Sequence, residues 1–91
     1  MYEYVEYTEK LKSLLEDIFN EEFMQDNTRF SGFESFKYSS AVFINWDADQ
    51  LIYNKEVFDN FVKESTNFSS WEEMVQAGTS KYFNIKKQGG I

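Results

Sequence analysis

Apolar residues recur at spacings of three and four in three stretches of the chain, the period that lines one face of an α-helix. The first stretch follows Thr8, a residue type that caps helices, and predicts a helix extending to about Gln25. The others predict helices over residues 54–65 and 70–83. The apolar positions that define the three helices are Leu11, Leu14, Leu15, Ile18 and Phe19, then Val57, Phe58, Phe61 and Val62, then Trp71, Met74, Val75 and Tyr82.

One stretch of the chain occurs twice. Residues 23–36 read FMQDNTRFSGFESF and residues 61–74 read FVKESTNFSSWEEM, with Phe, Thr, Phe, Ser and Glu at the same places. If one residue is gapped, the similarity extends to a unit of about 39 residues that is used twice. The alternative is that a chain rich in Phe, Ser, Glu and Asn resembles itself by chance.

Both copies contain a signal for the start of a helix. Ser31 and Glu34 in the first copy, and Ser69 and Glu72 in the second, have the spacing of a capping box, and a polar run suited to a loop precedes each pair. Each copy therefore reads as a helix, a short loop and a capped helix. We predict an all-α fold of four short helices arranged as two αα-hairpins.

Two segments are ambiguous. Residues 31–45 place apolar residues along one helical face, yet residues 38–46 contain a run of strand-favouring residues. The second copy of the repeat favours the helix. If the repeat is spurious, residues 41–46 pair with residues 50–53 as an antiparallel hairpin within 38–53, and the fold is α+β. Residues 1–7 intersperse aromatic or apolar residues with the acids Glu3 and Glu6, and suit either a short strand or the start of the first helix.

Length and composition limit the remaining choices. The 91 residues predict one small domain over residues 1–84 and a flexible basic tail over residues 85–91. There is no apolar run of the roughly 20 residues needed to cross a membrane, so we expect a soluble, cytoplasmic protein without a membrane partner. Aromatic residues make up 20% of the chain, so some are expected to line a groove or an interface, although an aromatic core is the simpler explanation.

The residue types argue against catalysis. The chain has no His and no Cys, which removes the usual general base at neutral pH and the best nucleophile. No glycine pattern of a nucleotide-binding loop or a hydrolase is present. We therefore predict that the protein is not an enzyme and uses no cofactor.

Residues 45–56 contain the only pattern that suggests a metal. The segment resembles a degenerate EF-hand loop, with Asn45, Asp47, Asp49 and Glu56 at the first, third, fifth and twelfth positions. Asn replaces the usual first Asp, and Gln50 replaces the Gly of the sharp turn. No metal site is the main prediction, calcium binding by these four residues is the minor alternative, and Asp47 or Asp49 suits a helix cap better.

Charge suggests the function. The formal net charge is −7, and acids are concentrated in residues 1–26 and 47–80, which disfavours nucleic acid as a direct partner. We predict a small acidic protein that binds a basic protein surface, with carboxylates that imitate a nucleic-acid backbone as in phage and mobile-element inhibitors. A homo-oligomeric structural or adaptor protein is the alternative, and acids that serve only solubility are the simplest explanation. The predicted contact residues are Glu9, Glu16, Asp17, Glu21, Asp59, Glu64, Glu72 and Glu73.

Overall fold

A computed structural model describes the backbone of residues 2–89 and the side chains of residues 2–84. These residues form helices and a small sheet, so the fold is mixed α+β and the all-α prediction is wrong. In chain order the elements are β1 (Tyr2–Glu6), α1 (Glu9–Ile18), α2 (Glu21–Asn27), α3 (Phe33–Ser40), β2 (Gln50–Asn54), α4 (Lys55–Ser65) and α5 (Trp71–Gly89).

The sheet joins the start of the chain to its middle. Strands β1 and β2 run antiparallel, with Tyr4 opposite Ile52 at the centre of the pair. Strand β2 alternates in burial, and its inward residues Leu51 and Tyr53 join the core. The strand alternative for residues 1–7 therefore applies to Tyr2–Glu6, where five consecutive residues pair with β2.

The predicted hairpin within residues 38–53 does not form. Helix α3 continues to Ser40, and the amides of Phe43 and Ile44 then donate to the Ser40 carbonyl at 2.8 and 3.2 Å, which turns the chain. Residues 41–46 thus form turns despite their strand propensity, and β2 pairs with β1 instead. Tertiary pairing, rather than local propensity, selects the strands.

Side-chain caps determine where the N-terminal helices begin. The Thr8 hydroxyl accepts from the Leu11 amide at 3.2 Å, so the predicted cap of the first helix is confirmed. That helix stops at Ile18 rather than Gln25 because the Asn20 side chain accepts from the Phe23 amide at 2.9 Å and starts α2. Helix α4 matches its predicted range closely, and α5 runs from Trp71 to Gly89.

The predicted capping boxes do not form as expected. In the second copy the cap lies one residue later, where the Ser70 hydroxyl accepts from the Glu73 amide at 3.1 Å and the Glu73 carboxylate accepts from the Ser69 amide at 3.1 Å. In the first copy α3 follows Gly32, which has no side chain with which to cap it. The Ser31–Glu34 and Ser69–Glu72 pairs therefore have no capping role.

The two repeat windows adopt the same local structure and pair with each other. The Arg29 amide donates to the Ser65 carbonyl at 3.1 Å, and the equivalent Asn67 amide donates to the Asn27 carbonyl at 2.8 Å. These reciprocal bonds form an antiparallel bridge in which the two repeat-equivalent threonines, Thr28 and Thr66, lie opposite each other. The loops are therefore related by a local two-fold axis.

The same two-fold relation extends to the side chains around the bridge. The Thr28 hydroxyl donates to the Met24 carbonyl at 2.7 Å and accepts from the Phe30 amide at 2.9 Å. Thr66 repeats both bonds with Val62 and Phe68, at 2.8 and 3.0 Å. The phenyl rings pair across the two copies in the same way, since Phe23 stacks on Phe68 and Phe30 stacks on Phe61.

Most of the aromatic side chains form the core between the two copies. Phe36 and Phe58 are fully buried, and Trp71 contacts both rings. Trp46 joins the same cluster and donates its indole N–H to the buried Ser40 hydroxyl at 2.8 Å. The aromatic core expected from composition is thus present, although several aromatic residues also remain exposed.

One helix crosses the predicted boundary between the domain and its tail. Helix α5 continues past residue 84 to Gly89, while Gly90 and Ile91 lie outside the described residues. The flexibility expected of residues 85–91 stays a prediction. Across the helices that the structure describes, none combines the length and apolar character needed to cross a membrane.

Candidate protein-binding surface

The eight predicted contact residues lie on four helices, and five of them border three different grooves. Glu16 and Glu21 border one groove, Asp59 and Glu72 a second, and Glu64 a third. The remaining residues, Glu9, Asp17 and Glu73, are exposed on α1 and α5. The structure therefore brings some of the eight together but does not gather them into a single groove.

The first groove lies between the junction of α1 with α2 and the start of α3. Its volume is about 430 Å³, and three carboxylates border it, those of Glu16, Glu21 and Glu34. The buried rings of Phe19 and Phe33 lie beneath these carboxylates. We call this site, defined by Glu16, Glu21 and Glu34, the acidic groove.

Local hydrogen bonds explain why the acidic groove is open. Because Asn20 caps α2, the chain bends between α1 and α2 and places Glu16 and Glu21 on the two sides of the bend. The Gln25 side chain donates to the Ser31 carbonyl at 3.1 Å and joins α2 to the loop before α3. The walls of the groove are therefore held by both helices and the loop.

One lysine modifies the charge of the acidic groove. The Lys37 ammonium lies 2.8 Å from the Glu34 carboxylate and 3.7 Å from that of Glu16, and it also lies 5.2 Å from the centre of the Phe33 ring. Lys37 is largely covered by these contacts. Among the described residues Glu21 has no ion-pair partner, so the groove retains a negative balance.

Glu34 also borders a neighbouring groove of about 340 Å³ that contains Tyr38, Trp46 and Asp47. The Tyr38 side chain is 86% exposed, the largest exposed fraction among the large hydrophobic residues described. Glu34 therefore connects the acidic groove to an exposed aromatic ring. Glu34 is absent from the predicted contact residues although its repeat equivalent Glu72 is among them, so the repeat is the signal that could have identified it.

Asp59 has a structural role inside the protein. One carboxylate oxygen accepts from the Trp71 amide at 2.9 Å and the other pairs with the Lys55 ammonium at 2.9 Å. The Asp59 hydrogen bond raises the pKa of Lys55 above its usual value. Both oxygens of Asp59 are thus engaged within the second groove, which has a smaller volume of about 250 Å³.

Other predicted acids also make local contacts. Glu9 pairs with Lys12 at 3.5 Å. Glu73 binds the amide and hydroxyl of Ser69, and these hydrogen bonds lower the pKa of the Glu73 carboxyl. Glu64 and its repeat equivalent Asp26 border a polar groove of about 320 Å³ beside the Thr28–Thr66 bridge.

The four residues of the EF-hand-like segment do not converge. The Asn45 side chain accepts from the Asp47 amide at 2.9 Å, and β2 separates Asp49 from Glu56. Because a strand rises about 3.3 Å per residue, the five residues of β2 separate the backbones of Asp49 and Glu56 by roughly 15 Å. Asn54, rather than Asp47 or Asp49, caps α4.

No cluster of three or more acidic, His or Cys side chains capable of holding a metal ion occurs in the part of the chain that the structure describes. Comparisons with known proteins reveal no relative, since no protein-family model, no curated protein and no solved structure matches the chain.

Proposed function

We propose that the chain is a non-catalytic protein that binds a partner protein with a basic surface, and that the acidic groove and Tyr38 form the centre of the contact. The observation that carries this proposal is the position of Glu34. Glu34 borders both the acidic groove and the groove beside Tyr38, so charge and an exposed aromatic side chain belong to one continuous surface.

Charge favours a cationic partner. The two adjoining grooves are bordered by the carboxylates of Glu16, Glu21, Glu34 and Asp47, with Lys37 as their cation. Lys or Arg side chains of a partner can bind between these carboxylates, and complementary charge accelerates the encounter of the two proteins. The net charge of −7 also disfavours direct binding to nucleic acid, because the phosphate backbone is itself negatively charged.

Tyr38 supplies the apolar part of the contact. Aromatic side chains are enriched at the energetic centres of protein interfaces because they bury a large area at a small cost in side-chain entropy. Tyr38 lies on α3 one helical turn after Glu34. A partner that places a cation in the acidic groove can therefore cover the Tyr38 ring without any rearrangement of the backbone.

The proposal is tested with two triple variants that change the net charge equally. Glu16→Gln, Glu21→Gln and Glu34→Gln together neutralise the acidic groove. Glu9→Gln, Asp26→Asn and Glu64→Gln together neutralise three exposed acids outside it. A photo-crosslinking amino acid at position 38 captures proteins that contact the surface, and mass spectrometry identifies them.

The expected result is a protein that is crosslinked by the unmodified chain and by the control triple but not by the groove triple. Capture should also decrease in high salt, because ion pairs at an exposed surface are screened. A protein captured equally by both triples would contradict the proposal. Competition by duplex DNA for a captured partner would support the narrower prediction of a nucleic-acid-like surface.

A further inference from the structure

Strand β1 is an edge strand with little cover. Tyr2 and Tyr4 are 59% and 66% exposed, and Val5 is also exposed. The main tertiary contacts of β1 are with β2. Within β1 there is no Pro, no Lys and no bulge, three of the features that protect an exposed edge from another strand, and the charged residues of the strand are Glu3 and Glu6.

The register of the sheet identifies which backbone groups of β1 are free. The Tyr7 amide donates to the Asp49 carbonyl at 2.8 Å, which makes this pair a hydrogen-bonded one. Hydrogen-bonded pairs alternate along an antiparallel ladder, so Val5 and Glu3 direct their N–H and C=O groups towards β2. The N–H and C=O groups of Tyr2, Tyr4 and Glu6 therefore point away from β2, at the outer edge.

This outer edge is complementary to itself. We propose that β1 pairs with β1 of a second copy of the chain, antiparallel and centred on Tyr4, to form a continuous four-stranded sheet. In this register Tyr4 of one copy faces Tyr4 of the other, and Tyr2 of each copy faces Glu6 of the other. Every outward N–H and C=O group of the five-residue strand then has a partner.

The side chains of β1 are compatible with pairing to β1 of a second copy of the chain. No two carboxylates lie directly opposite each other, because Glu6 faces Tyr2 and Glu3 faces Val5 of the other copy. The Tyr2 hydroxyl group can donate to the Glu6 carboxylate across the two strands. Tyr2, Tyr4 and Ile52, which share the outer face of the sheet, meet the same residues of the second copy and extend one apolar face.

The proposed dimer and the proposed partner binding respond to salt in opposite directions. Glu3 of each copy lies diagonally across from Glu3 of the other, at a distance of about 7–8 Å, so salt weakens a repulsion and favours the dimer. Salt weakens the attraction between the acidic groove and a basic partner. The dimer does not depend on the acidic groove, and the groove triple should leave it unchanged.

Charge changes at position 2 test the register. Tyr2→Glu places a carboxylate opposite Glu6 of the other copy, whereas Tyr2→Lys places an ammonium there. Sedimentation equilibrium over a range of protein concentrations should show a monomer–dimer equilibrium for the unmodified chain. Its dissociation constant should rise about tenfold in Tyr2→Glu and fall about threefold in Tyr2→Lys, since each change acts at two symmetry-related sites.

Matched controls separate these effects from net charge. Ser39 is exposed on α3, far along the chain from β1, and Ser39→Glu and Ser39→Lys change the net charge by the same amounts. These controls should alter the dissociation constant by less than about twofold. Circular dichroism should show that the Tyr2 variants keep the fold, since Tyr2 is exposed and its backbone groups do not bond to β2.

Two results would overturn the proposal. One is a monomer at every concentration up to about 1 mM. The other is a dimer whose dissociation constant changes equally, or not at all, in Tyr2→Glu and Tyr2→Lys. A dimer that responds in the expected directions, together with a protein captured equally by the groove triple and the control triple, would support the sheet interface and contradict the proposed function.

Discussion

The two copies of the repeat share a loop but differ in the helix that precedes it. In the first copy Asn20 caps α2, so the helix is broken and the acidic groove opens beside the break. In the second copy the corresponding residue, Asp59, lies inside α4, accepts from the Trp71 amide and pairs with Lys55. The same paired loops therefore support an open acidic groove on one side and a smaller groove with an internal ion pair on the other.

A second difference between the copies lies just after the repeat windows in the chain. Ser40 and Gly78 are equivalent and both are buried, but α3 ends at Ser40 and α5 continues past Gly78. The Ser40 hydroxyl accepts from the Trp46 indole at 2.8 Å, whereas Gly78 leaves room for the Phe19 ring. The paired loops are therefore equivalent in the two copies, whereas the ends of the helices around them differ.

The largest expected effect concerns Phe36, the equivalent of Met74 in the second copy. Both are fully buried, but Phe36 contacts Trp71, Phe58 and other rings of the core. Phe36→Ala should lower the free energy of unfolding by about 3–5 kcal/mol in urea denaturation, because it leaves a cavity at the centre of the core. Met74→Ala should cost less, about 2–4 kcal/mol.

The control for the core variants is Tyr38→Ala, which removes an aromatic side chain from the surface of α3. It should change the free energy of unfolding by less than about 0.5 kcal/mol. A loss of stability in Phe36→Ala that is no larger than that of the control would mean that the core does not lie between the two copies.

The next effect distinguishes Asp59 from Asn20. Asp59→Ala removes the acceptor for the Trp71 amide and the partner of Lys55, so the free energy of unfolding should fall by about 1.5–3 kcal/mol. Asn20→Ala removes a helix cap and should cost about 0.5–2 kcal/mol. Asp59→Asn keeps a carbonyl oxygen for the Trp71 amide and should recover part of the loss. Equal stabilities for all three variants would remove this distinction between the copies.

Gly78 should be sensitive to the smallest substitution. Helix propensity alone predicts that Gly78→Ala stabilises α5 by about 1 kcal/mol. A Cβ atom at this position would lie 2.7 Å from Cε1 of Phe19, and that ring is itself buried. We therefore expect a net destabilisation of about 1–2 kcal/mol in thermal and urea unfolding. Ser80→Ala, at an exposed position of the same helix, serves as the control, and a more stable Gly78→Ala protein would contradict the contact.

Alkaline pH should lower the stability of the folded protein, because two buried tyrosines near the sheet then ionise. Stability at neutral pH should not depend on this ionisation. Burial, with nearby carboxylates of which Glu16 is the most important, raises the pKa of Tyr7 from 10.0 to about 12. Burial also raises the pKa of Tyr53. A raised pKa in the folded state means that stability is complete below the unfolded pKa and is lost as the pH rises from about 10 towards 12.

Tyr7→Phe removes the ionisable group and tests this pH dependence. The variant should lose less stability than the unmodified chain between about pH 10 and 12, measured by urea denaturation at each pH. Absorbance at 295 nm should show that one tyrosine fewer ionises late in the titration. If both proteins lose stability equally over this range, Tyr7 is not the group responsible.

Several parts of the fold could be predicted from the sequence because they depend on local chemistry. Thr8 caps the first helix, and α4 follows directly from its apolar spacing. The sheet could not be predicted in the same way, because β1 and β2 are distant in the chain and their pairing depends on the folded core. The break at Asn20 was hidden by apolar spacing that continues across it, and residues 41–46 have strand propensity but follow α3 as turns and irregular chain.

The candidate surface was only partly predictable for a similar reason. Glu16 and Glu21 are separated by the helix break at Asn20, so a continuous helix would have placed them differently. Glu34 was assigned to a cap that does not form, and Asp59 looked like a surface acid although both its oxygens bind within the protein. The acidic character of the surface could be predicted from the sequence, but the contacts that each carboxylate makes depend on the tertiary structure.

The most direct test of the account is whether the two repeat loops pair across a two-fold axis in solution. Nuclear Overhauser spectroscopy should show a strong contact between the Hα atoms of Thr28 and Thr66, since α-carbons of such a pair lie about 4.5 Å apart. The amides of Arg29 and Asn67 should exchange slowly with solvent and at similar rates, because they donate the equivalent bonds. Absence of the Hα contact, with fast exchange at either amide, would contradict the paired repeat.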